Sequence, residues 1–236
     1  MKKKWLATLL IGVSIISVGC QKEEIESEGE VETQTENPLD TEQNKDVKEG
    51  KLTRDNSSAK ETKINAGTFE VGKDVSVGRY VLTGNGDGNF SIYDGEVQIV
   101  HEILDATNEI GVASVTLDLY EGQKIEVSGL NELILTPAKT PLLRLNLSTG
   151  NWTVGIDIEP GRYIVEPILL GYLIGKGSLL VYDGEKQVVN EFLDANGVLD
   201  VKDASGEIGV KLAVIELKED QTIRITGIPE VKFTKE

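Results

Sequence analysis

The chain has 236 residues with 24 Lys and Arg against 40 Asp and Glu, so its formal net charge is −16 at pH 7. This acidity argues against nucleic-acid binding, which depends on cationic contacts with phosphate. One cysteine and one histidine exclude a disulfide framework and leave too few ligands for a thiolate or histidine zinc site. We therefore expect no cofactor, no metal and no nucleic-acid partner.

The first twenty residues have the organisation of an export signal. Three lysines are followed by an uncharged apolar stretch at residues 5–18, which is shorter than the roughly 20 residues of a membrane-spanning helix. The stretch ends in SVGC, which resembles the lipobox of bacterial lipoproteins. The resemblance implies a signal peptide at residues 1–19, cleavage before Cys20, a lipid on its sulfur and a membrane anchor. An ordinary secretory signal is the alternative.

A polar segment follows the cysteine. Residues 21–60 contain no Phe, Trp or Tyr, and their few apolar residues are scattered among many charges. Such a segment cannot bury enough apolar surface to offset the entropy lost on ordering. We predict a disordered acidic linker over residues 20–62, which holds the folded part away from the lipid surface. Without residues 1–19 the chain loses three lysines and no acid, so the net charge of −16 becomes −19.

The rest of the chain contains two similar segments, which indicates an internal repeat. GTFEVGKDVSVGRY at residues 67–80 aligns with GNWTVGIDIEPGRY at an offset of 83. YDGEVQIVHEILDA, starting at Tyr93, aligns with YDGEKQVVNEFLDA at an offset of 89. EGQKIEVSGL, starting at Glu121, aligns with EDQTIRITGI at an offset of 98. We place repeat 1 at residues 63–138 and repeat 2 at residues 139–236.

Both repeats have the pattern of short β-strands. Residues 115–119 and 124–128 alternate between apolar and polar side chains, and Glu121-Gly122 separates them as a turn. No long stretch has the 3.6-residue period of a helix, and 25 glycines punctuate the chain. The sequence therefore predicts an all-β protein with two tandem antiparallel β-sandwich or jelly-roll-like domains.

The YDGE stretch of repeat 1 carries His101, the one histidine of the chain. Its counterpart is Asn190, which cannot exchange a proton at neutral pH, so a function shared by both repeats does not use this histidine. Asp94-Gly95 is typical of a type I′ hairpin turn. Such a turn leaves Asp94 and Glu96 in water, without the burial that acid–base catalysis needs. We assign no catalytic residue and expect that the protein is not an enzyme; a hydrolase of unknown class is the third alternative.

The carboxylates that both repeats share are better candidates for a site. Glu102 and Asp105 have Glu191 and Asp194 as their counterparts. In a strand, Glu102 lies on the same face as Val100 and Leu104. There it could pair with an arginine of the shared Gly-Arg-Tyr, Arg79 or Arg162. A structural ion pair is one interpretation of these residues, and a ligand site that uses the same charges is the other.

A glycine-rich loop and the aromatic residues allow further interpretations. Residues 84–89, GNGDGN, space their Asn and Asp oxygens as in a calcium loop but lack the downstream glutamate, so we favour a hairpin loop. Phe69 and Trp152 precede valines at a period of two and are expected in the core. Tyr120 and Tyr172 are the better candidates for exposed contacts with a partner.

The shared run G-x-[F/W]-x-V-G-x-D-[V/I]-x-x-G-R-Y is similar to a motif in exported lipoproteins of low-GC Gram-positive bacteria. The resemblance covers both repeats and implies a cell-envelope protein with small all-β domains of largely unassigned function. It implies no catalytic residue. We expect a lipid-anchored, extracytoplasmic protein at the cell membrane, whose two modules bind a cell-wall glycan or a surface protein. A structural or assembly spacer of the envelope is the alternative.

Overall fold

The computed structural model describes residues 55–139, 143–169, 175–195 and 209–236. The predicted signal peptide, Cys20, residues 20–54 of the predicted linker and Tyr172 lie outside these residues. Every element of the described residues is a β-strand, which confirms the all-β prediction. We refer to residues 55–139 as the first half and to the described residues from 143 onward as the second half.

The first half contains eight strands. Four of them pair antiparallel in the order β1-β8-β3-β6 and continue into the second half as part of a ten-stranded sheet, and the other four form a separate antiparallel sheet in the order β2-β7-β4-β5. Their bounds are β1 Thr62–Ile64, β2 Gly67–Glu70, β3 Gly78–Asn85, β4 Gly88–Asp94, β5 Val97–Leu104, β6 Ser114–Leu119, β7 Lys124–Ser128 and β8 Glu132–Pro137.

The second half repeats these strand neighbours with two longer strands. Its strands are β9 Asn146–Thr153, β10 Gly161–Ile168, β11 Lys176–Asp183, β12 Lys186–Asp194, β13 Ala213–Leu217 and β14 Thr222–Lys235. The first part of the long β14 pairs with β11, and its last part pairs with β10. Both parts of β14 also pair with β9. Thus β9 corresponds to β1 and β2 together, and β14 corresponds to β7 and β8.

Each half has its own hydrophobic cluster, and neither cluster draws a buried residue from the other half. In β7, the alternation predicted from the sequence places Ile125 and Val127 inside and the residues between them outside. Trp152 is buried at 3% exposure, as expected, and packs in the second cluster. Phe69, its counterpart, is only partly buried, so the prediction of a core position is correct for one half and too strong for the other.

The V-G-x-D part of the shared motif is a tight loop that its aspartate closes. Asp74 Oδ2 accepts a hydrogen bond from Glu70 N at 2.9 Å, and Asp157 Oδ2 accepts one from Thr153 N at 2.8 Å. Gly72 has φ +94°, and a Cβ there would lie 2.3 Å from the carboxyl group of Glu121. The glycine and the aspartate of the motif are therefore structural.

The tyrosines of Gly-Arg-Tyr are also structural. Tyr80 and Tyr163 are fully buried, and each phenol oxygen donates to the carbonyl oxygen four residues earlier, at 3.0 and 2.9 Å. The Tyr80 oxygen also accepts from Lys60 N at 3.1 Å. Asn56 donates to the carbonyl oxygen of Arg79 at 3.0 Å. Residues 55–62 therefore belong to the first half, and the linker predicted over 20–62 extends too far.

The hairpin turns differ by one residue from the prediction. Asp94 pairs with Val97, so the two loop residues are Gly95 and Glu96, and Asp94 is the last residue of β4. Gly95 has φ +61°, whereas Glu96 is not among the residues with positive φ. This is the pattern of a type II′ turn, with glycine first, and not of the predicted type I′ turn. The counterpart Gly184 has φ +59°.

Candidate functional site

The outer surface of the β2-β7-β4-β5 sheet carries a row of polar side chains. Thr68 pairs with Glu126, Glu126 with Ser91, and Ser91 with His101, so the four residues lie side by side across the four strands. They face away from the core because their neighbours along the strands, such as Phe90, are buried. We call this surface the first-half face; it comprises Thr68, Asn89, Ser91, His101, Glu126 and Ser128.

The first-half face lines an open cavity of about 620 Å³. Its side chains supply hydroxyl, amide, imidazole and carboxylate groups, which suit hydrogen bonds to a polar partner. Thr68, Glu126 and Ser128 are exposed. The face can therefore accept a partner without prior opening of the fold. This surface was not predicted from the sequence, although the period-two alternation of β4 and β7 places these polar residues on one face.

Ser91 and His101 contact each other, but they do not form a catalytic triad. Ser91 Oγ lies 2.9 Å from His101 Nδ1 and also accepts a hydrogen bond from Gln98 Nε2 at 2.9 Å. Ser91 is 8% exposed. Glu126 stands on the strand beyond Ser91, two strand spacings or about 10 Å of backbone from the histidine. Within the described residues no hydrogen bond joins its carboxylate to the imidazole, as a triad requires. The arrangement fixes side chains of a surface and lacks an activated nucleophile.

The equivalent surface of the second half is partly covered by the first half. Asn151, Leu180, Arg224 and Thr226 are the counterparts of Thr68, Ser91, Glu126 and Ser128. Together with Gln98, Val100 and Leu117 they line a cavity of about 240 Å³ between the halves. The first half therefore contacts part of the second-half surface that corresponds to the first-half face, while Asn190, the counterpart of His101, stays exposed.

Arg79 is the main polar contact of this junction. Its Nη1 lies 2.7 Å from Asp118 Oδ2, and its Nη2 donates to the carbonyl oxygen of Asn151 at 2.8 Å. Its guanidinium lies 5.0 Å from the centre of the Trp152 ring, and Asp157 Oδ2 is 3.7 Å from its Nη2. Arg79 is only 6% exposed, and its guanidinium has hydrogen-bonding and charged partners in both halves.

Backbone contact also joins the halves. Thr116 of β6 pairs with Gly150 of β9 in parallel orientation. Gly150 has φ +139°, and a Cβ there would lie 1.9 Å from the carbonyl oxygen of Thr116. Only glycine permits this approach.

Glu102 lies at the junction as well and does not pair with an arginine. It is 6% exposed, and its Oε2 accepts a hydrogen bond from Gly227 N at 3.2 Å. Burial raises the pKa of Glu102 to about 7, and the hydrogen bond from Gly227 opposes this shift. Arg79 contacts Asp118 and Asp157 instead, so the predicted pairing of Glu102 with Arg79 is wrong.

The corresponding pairing in the second half is wrong for a different reason. Arg162 Nε donates to Glu236, and 62% of the Arg162 side chain is exposed. Glu191 lies on β12, partly buried, and faces Leu179 of β11 in the register of the sheet. The two halves thus use the same residue types at different depths: Arg79 and Glu102 are buried, and their counterparts are not.

Asp105 holds a loop in place. It is 2% exposed and accepts hydrogen bonds from the backbone N–H groups of Thr107, Glu109 and Ile110 and from the Thr107 hydroxyl, at 2.7 to 2.9 Å. Burial alone would raise the pKa of Asp105, but these hydrogen bonds together lower it well below its usual value. Asp194, its counterpart, is 1% exposed and lies 3.1 Å from Lys176 Nζ. Both contacts are structural.

Tyr120 is exposed, as expected, with 63% of its surface accessible. Within the described residues, no group of three or more His, Cys, Asp or Glu side chains is placed to hold a metal ion. The same residues include no helix long and apolar enough to cross a membrane.

Comparisons with models of protein families, with curated proteins and with solved structures find no match for the chain.

Proposed function

We propose that the protein is a lipid-anchored, extracytoplasmic lipoprotein whose two β-sandwich modules bind a cell-envelope component or a protein partner without catalysis. The observation that carries the proposal is the difference between the two equivalent sheet surfaces. That of the second half is in contact with protein, and the first-half face is open. A surface of the same strand arrangement therefore already serves as a docking surface in this molecule, although Leu180 and Arg224 stand there in place of Ser91 and Glu126.

The strand order supports two separate modules. In each half the sheets follow the order expected for an eight-stranded jelly roll, with β9 and β14 each running through both sheets of the second half. Each half has its own cluster of buried apolar residues. Jelly rolls commonly present sheet faces to ligands, and two modules on one chain can raise avidity where both engage.

The lipid anchor is supported by the sequence of the first twenty residues. Cys20 follows small residues at the end of an apolar stretch and is the one cysteine of the chain. Mass spectrometry of the membrane-extracted protein should show a lipid on Cys20, and a Cys20→Ala variant should lack it. An unchanged lipid mass in the variant would refute this part of the proposal.

The absence of catalysis is proposed from the geometry of the titratable groups. The buried carboxyl with the raised pKa, Glu102, has a backbone N–H as its partner at the junction of the halves. His101 Nδ1 contacts the Ser91 hydroxyl, but within the described residues no hydrogen bond or ion pair joins His101 to a carboxylate, the group that orients the imidazole in a catalytic triad.

The binding proposal is tested with the chain from residue 21 onward, which keeps every residue of both hydrophobic clusters. Peptidoglycan, cell-wall glycans and purified surface proteins are the probes. We expect Ser128→Arg, which adds a bulky cation to the exposed first-half face, to reduce binding at least tenfold. Leu169→Asp, at another exposed position (47%), is the control and should bind as the parent does. Equal binding by both variants would contradict the site, and no binding by the parent would contradict the function.

A spacer role is the second candidate, and the junction favours it. Arg79 bridges Asp118 and the second half, while Thr116 contacts Gly150 directly. Two modules joined by buried polar contacts are suited to hold a fixed separation. Proteolysis would distinguish the candidates, since a spacer should resist cleavage between the halves whether or not a ligand is present.

A further inference from the structure

The junction between the halves consists of two different surfaces. One is an edge of the first half, with Arg79, Glu102 and Thr116. The other is a face of the second half, and its contact residues are Gly150, Asn151, Trp152, Asp157 and Gly227. The contact is therefore heterologous, because different patches meet. Contacts of this kind can be repeated from one copy to the next.

Each surface has a counterpart in the other half. By the alignment of the two halves, Arg162, Glu191 and Val214 of the second half correspond to Arg79, Glu102 and Thr116. On the first half, the counterparts of the contact residues of the face are Gly67, Thr68, Phe69, Asp74 and Gly129. They border or belong to the first-half face. Each half thus carries an edge and a face, and only one edge and one face meet within the chain.

Residues of the junction are buried, whereas their counterparts in the other half are exposed. Thr116 is 7% exposed, whereas Val214 is 47% exposed. Asp157 is buried at 3%, whereas Asp74 is exposed. Gly150 is buried against Thr116, whereas Gly67 is exposed and a Cβ there would meet only the Phe69 ring. These matched positions are buried where the junction forms and exposed where it does not.

One edge of β13 has no strand beside it among the described residues. β13 is the last strand of its sheet and pairs with β10 alone among the described strands. Leu212 and Val214 expose apolar side chains there, at 49% and 47%. An exposed strand edge with apolar side chains is a template for contact with another chain.

We propose that the first-half face binds the β13 edge of a second copy of this chain, in a head-to-tail contact that repeats the junction within the chain. Val214 would lie against Gly67 of the neighbouring chain. Glu191 would accept a hydrogen bond from Gly129 N of that chain. Repetition of this contact builds a ring if the rotation closes and an open row of chains if it does not.

Formation of this contact would exchange one ion pair of Arg162 for another. Arg162 is held by Glu236 within the chain and would turn to Asp74 and the Phe69 ring of the neighbour. In the junction the corresponding Arg79 contacts Asp157 and Trp152. Because an exposed ion pair such as Arg162–Glu236 contributes little stability, its loss would disfavour the contact between chains only weakly.

This inference rests on the proposed function only in taking the first-half face as a protein-binding surface. The test is light scattering of the chain from residue 21 onward, in about 0.15 M salt to screen repulsion between acidic chains. The protein concentration rises to about 1 mM, the weak end of specific association. We expect the weight-average mass to rise above that of one chain as the concentration increases.

Two variants test the two surfaces of the contact separately. Val214→Asp alters the β13 edge and leaves the first-half face intact, whereas Ser128→Arg does the reverse. Each alone should remain a single chain, and their mixture should form a complex of two chains and no larger species. Both positions are exposed, and unchanged melting temperatures would show that the variants fold. Leu169→Asp is the matched control and should associate as the parent does.

Each outcome supports or overturns the inference. A parent that stays a single chain at every concentration overturns it, as does association of Val214→Asp that equals the parent's. If such a single chain still binds an envelope component through the first-half face, the inference fails and the proposed function stands. Association of the parent that both variants abolish, with recovery in the mixture, supports the inference even if no other ligand is found.

Discussion

Arg79 of the first half lies with its guanidinium 5.0 Å from the centre of the Trp152 ring of the second half. The cation also contacts Asp118 and the carbonyl oxygen of Asn151, so one buried side chain connects both halves. Because a buried charge is tolerated only when it is well paired, this relationship makes the orientation of the halves specific. It also gives the first prediction.

Arg79→Ala should lower the free energy of unfolding by about 3–5 kcal/mol, because the buried carboxylate of Asp157 and the partly buried carboxylate of Asp118 lose their shared cation. Arg162→Ala removes the counterpart, which is exposed, and should cost less than about 1 kcal/mol. Urea unfolding of both variants measures the difference. Equal losses for the two arginines would show that Arg79 does not stabilise the junction.

Gly150→Ala should destabilise the protein more than Gly67→Ala, although both glycines have positive φ. At Gly150 the new Cβ would lie 1.9 Å from the carbonyl oxygen of Thr116, and at Gly67 it would lie 3.4 Å from the Phe69 ring. We expect an additional cost of roughly 1–3 kcal/mol at Gly150, the range for overpacking. Thermal unfolding measures it, and similar costs at both positions would contradict the close approach of β6 and β9.

Glu102→Gln should change how stability depends on pH. Because burial raises the pKa of Glu102 from 4.5 to about 7, its contribution is fully present below about pH 4.5 and is lost as pH rises towards 7. The loss is of the order of 3 kcal/mol at 1.36 kcal/mol per pKa unit. The variant should therefore be more stable than the parent above pH 7 and similar to it near pH 4.5.

The measurement is the free energy of unfolding between pH 4 and pH 9 for the parent, Glu102→Gln and Glu191→Gln. His101, Lys176 and Arg224 line the cavities around Glu102 and are unchanged in all three proteins. Glu191→Gln alters the partly buried counterpart and should keep the slope of the parent. A parallel slope for Glu102→Gln would mean that folding does not raise the pKa of Glu102.

Asp105→Ala should destabilise the first half by about 2–4 kcal/mol, because three backbone N–H groups and the Thr107 hydroxyl lose their acceptor. Since the folded state lowers the pKa of Asp105, its contribution is present above about pH 4 and is lost as pH falls below its unfolded value of 3.8. Acid unfolding of the parent and the variant should therefore converge. Asp94→Ala, at an exposed turn, is the control.

Much of the fold follows from local patterns in the sequence. The alternation of β7 places Ile125 and Val127 in the core, since side chains point alternately to the two faces of a strand. The all-β class follows from the same periodicity and from the absence of a helical period. The turn at Gly95 is local too, but its type depends on which residues pair, and the register placed Asp94 in the strand.

The partners of the charged residues could not be predicted. Glu102 and Arg79 have suitable charges and strand positions, yet the arginine contacts Asp118, Asn151 and Asp157, and the glutamate contacts Gly227. These contacts join residues far apart in the chain, and pairing depends on which strand edges meet. The sequence contains both members of every such pair without stating which of them are neighbours.

The sequence by itself determined the all-β class, the alternation of strands such as β7, the positions of turns and the likeness of the two halves, because these depend on side-chain alternation, glycine positions and the similarity of aligned residues. Only the tertiary structure decided that the equivalent halves have unequal surroundings. Arg79 is buried and Arg162 exposed because one edge meets a face within the chain and the other does not. The burial of Arg79 and Glu102 and the raised pKa of Glu102 follow from that contact, which no local pattern encodes.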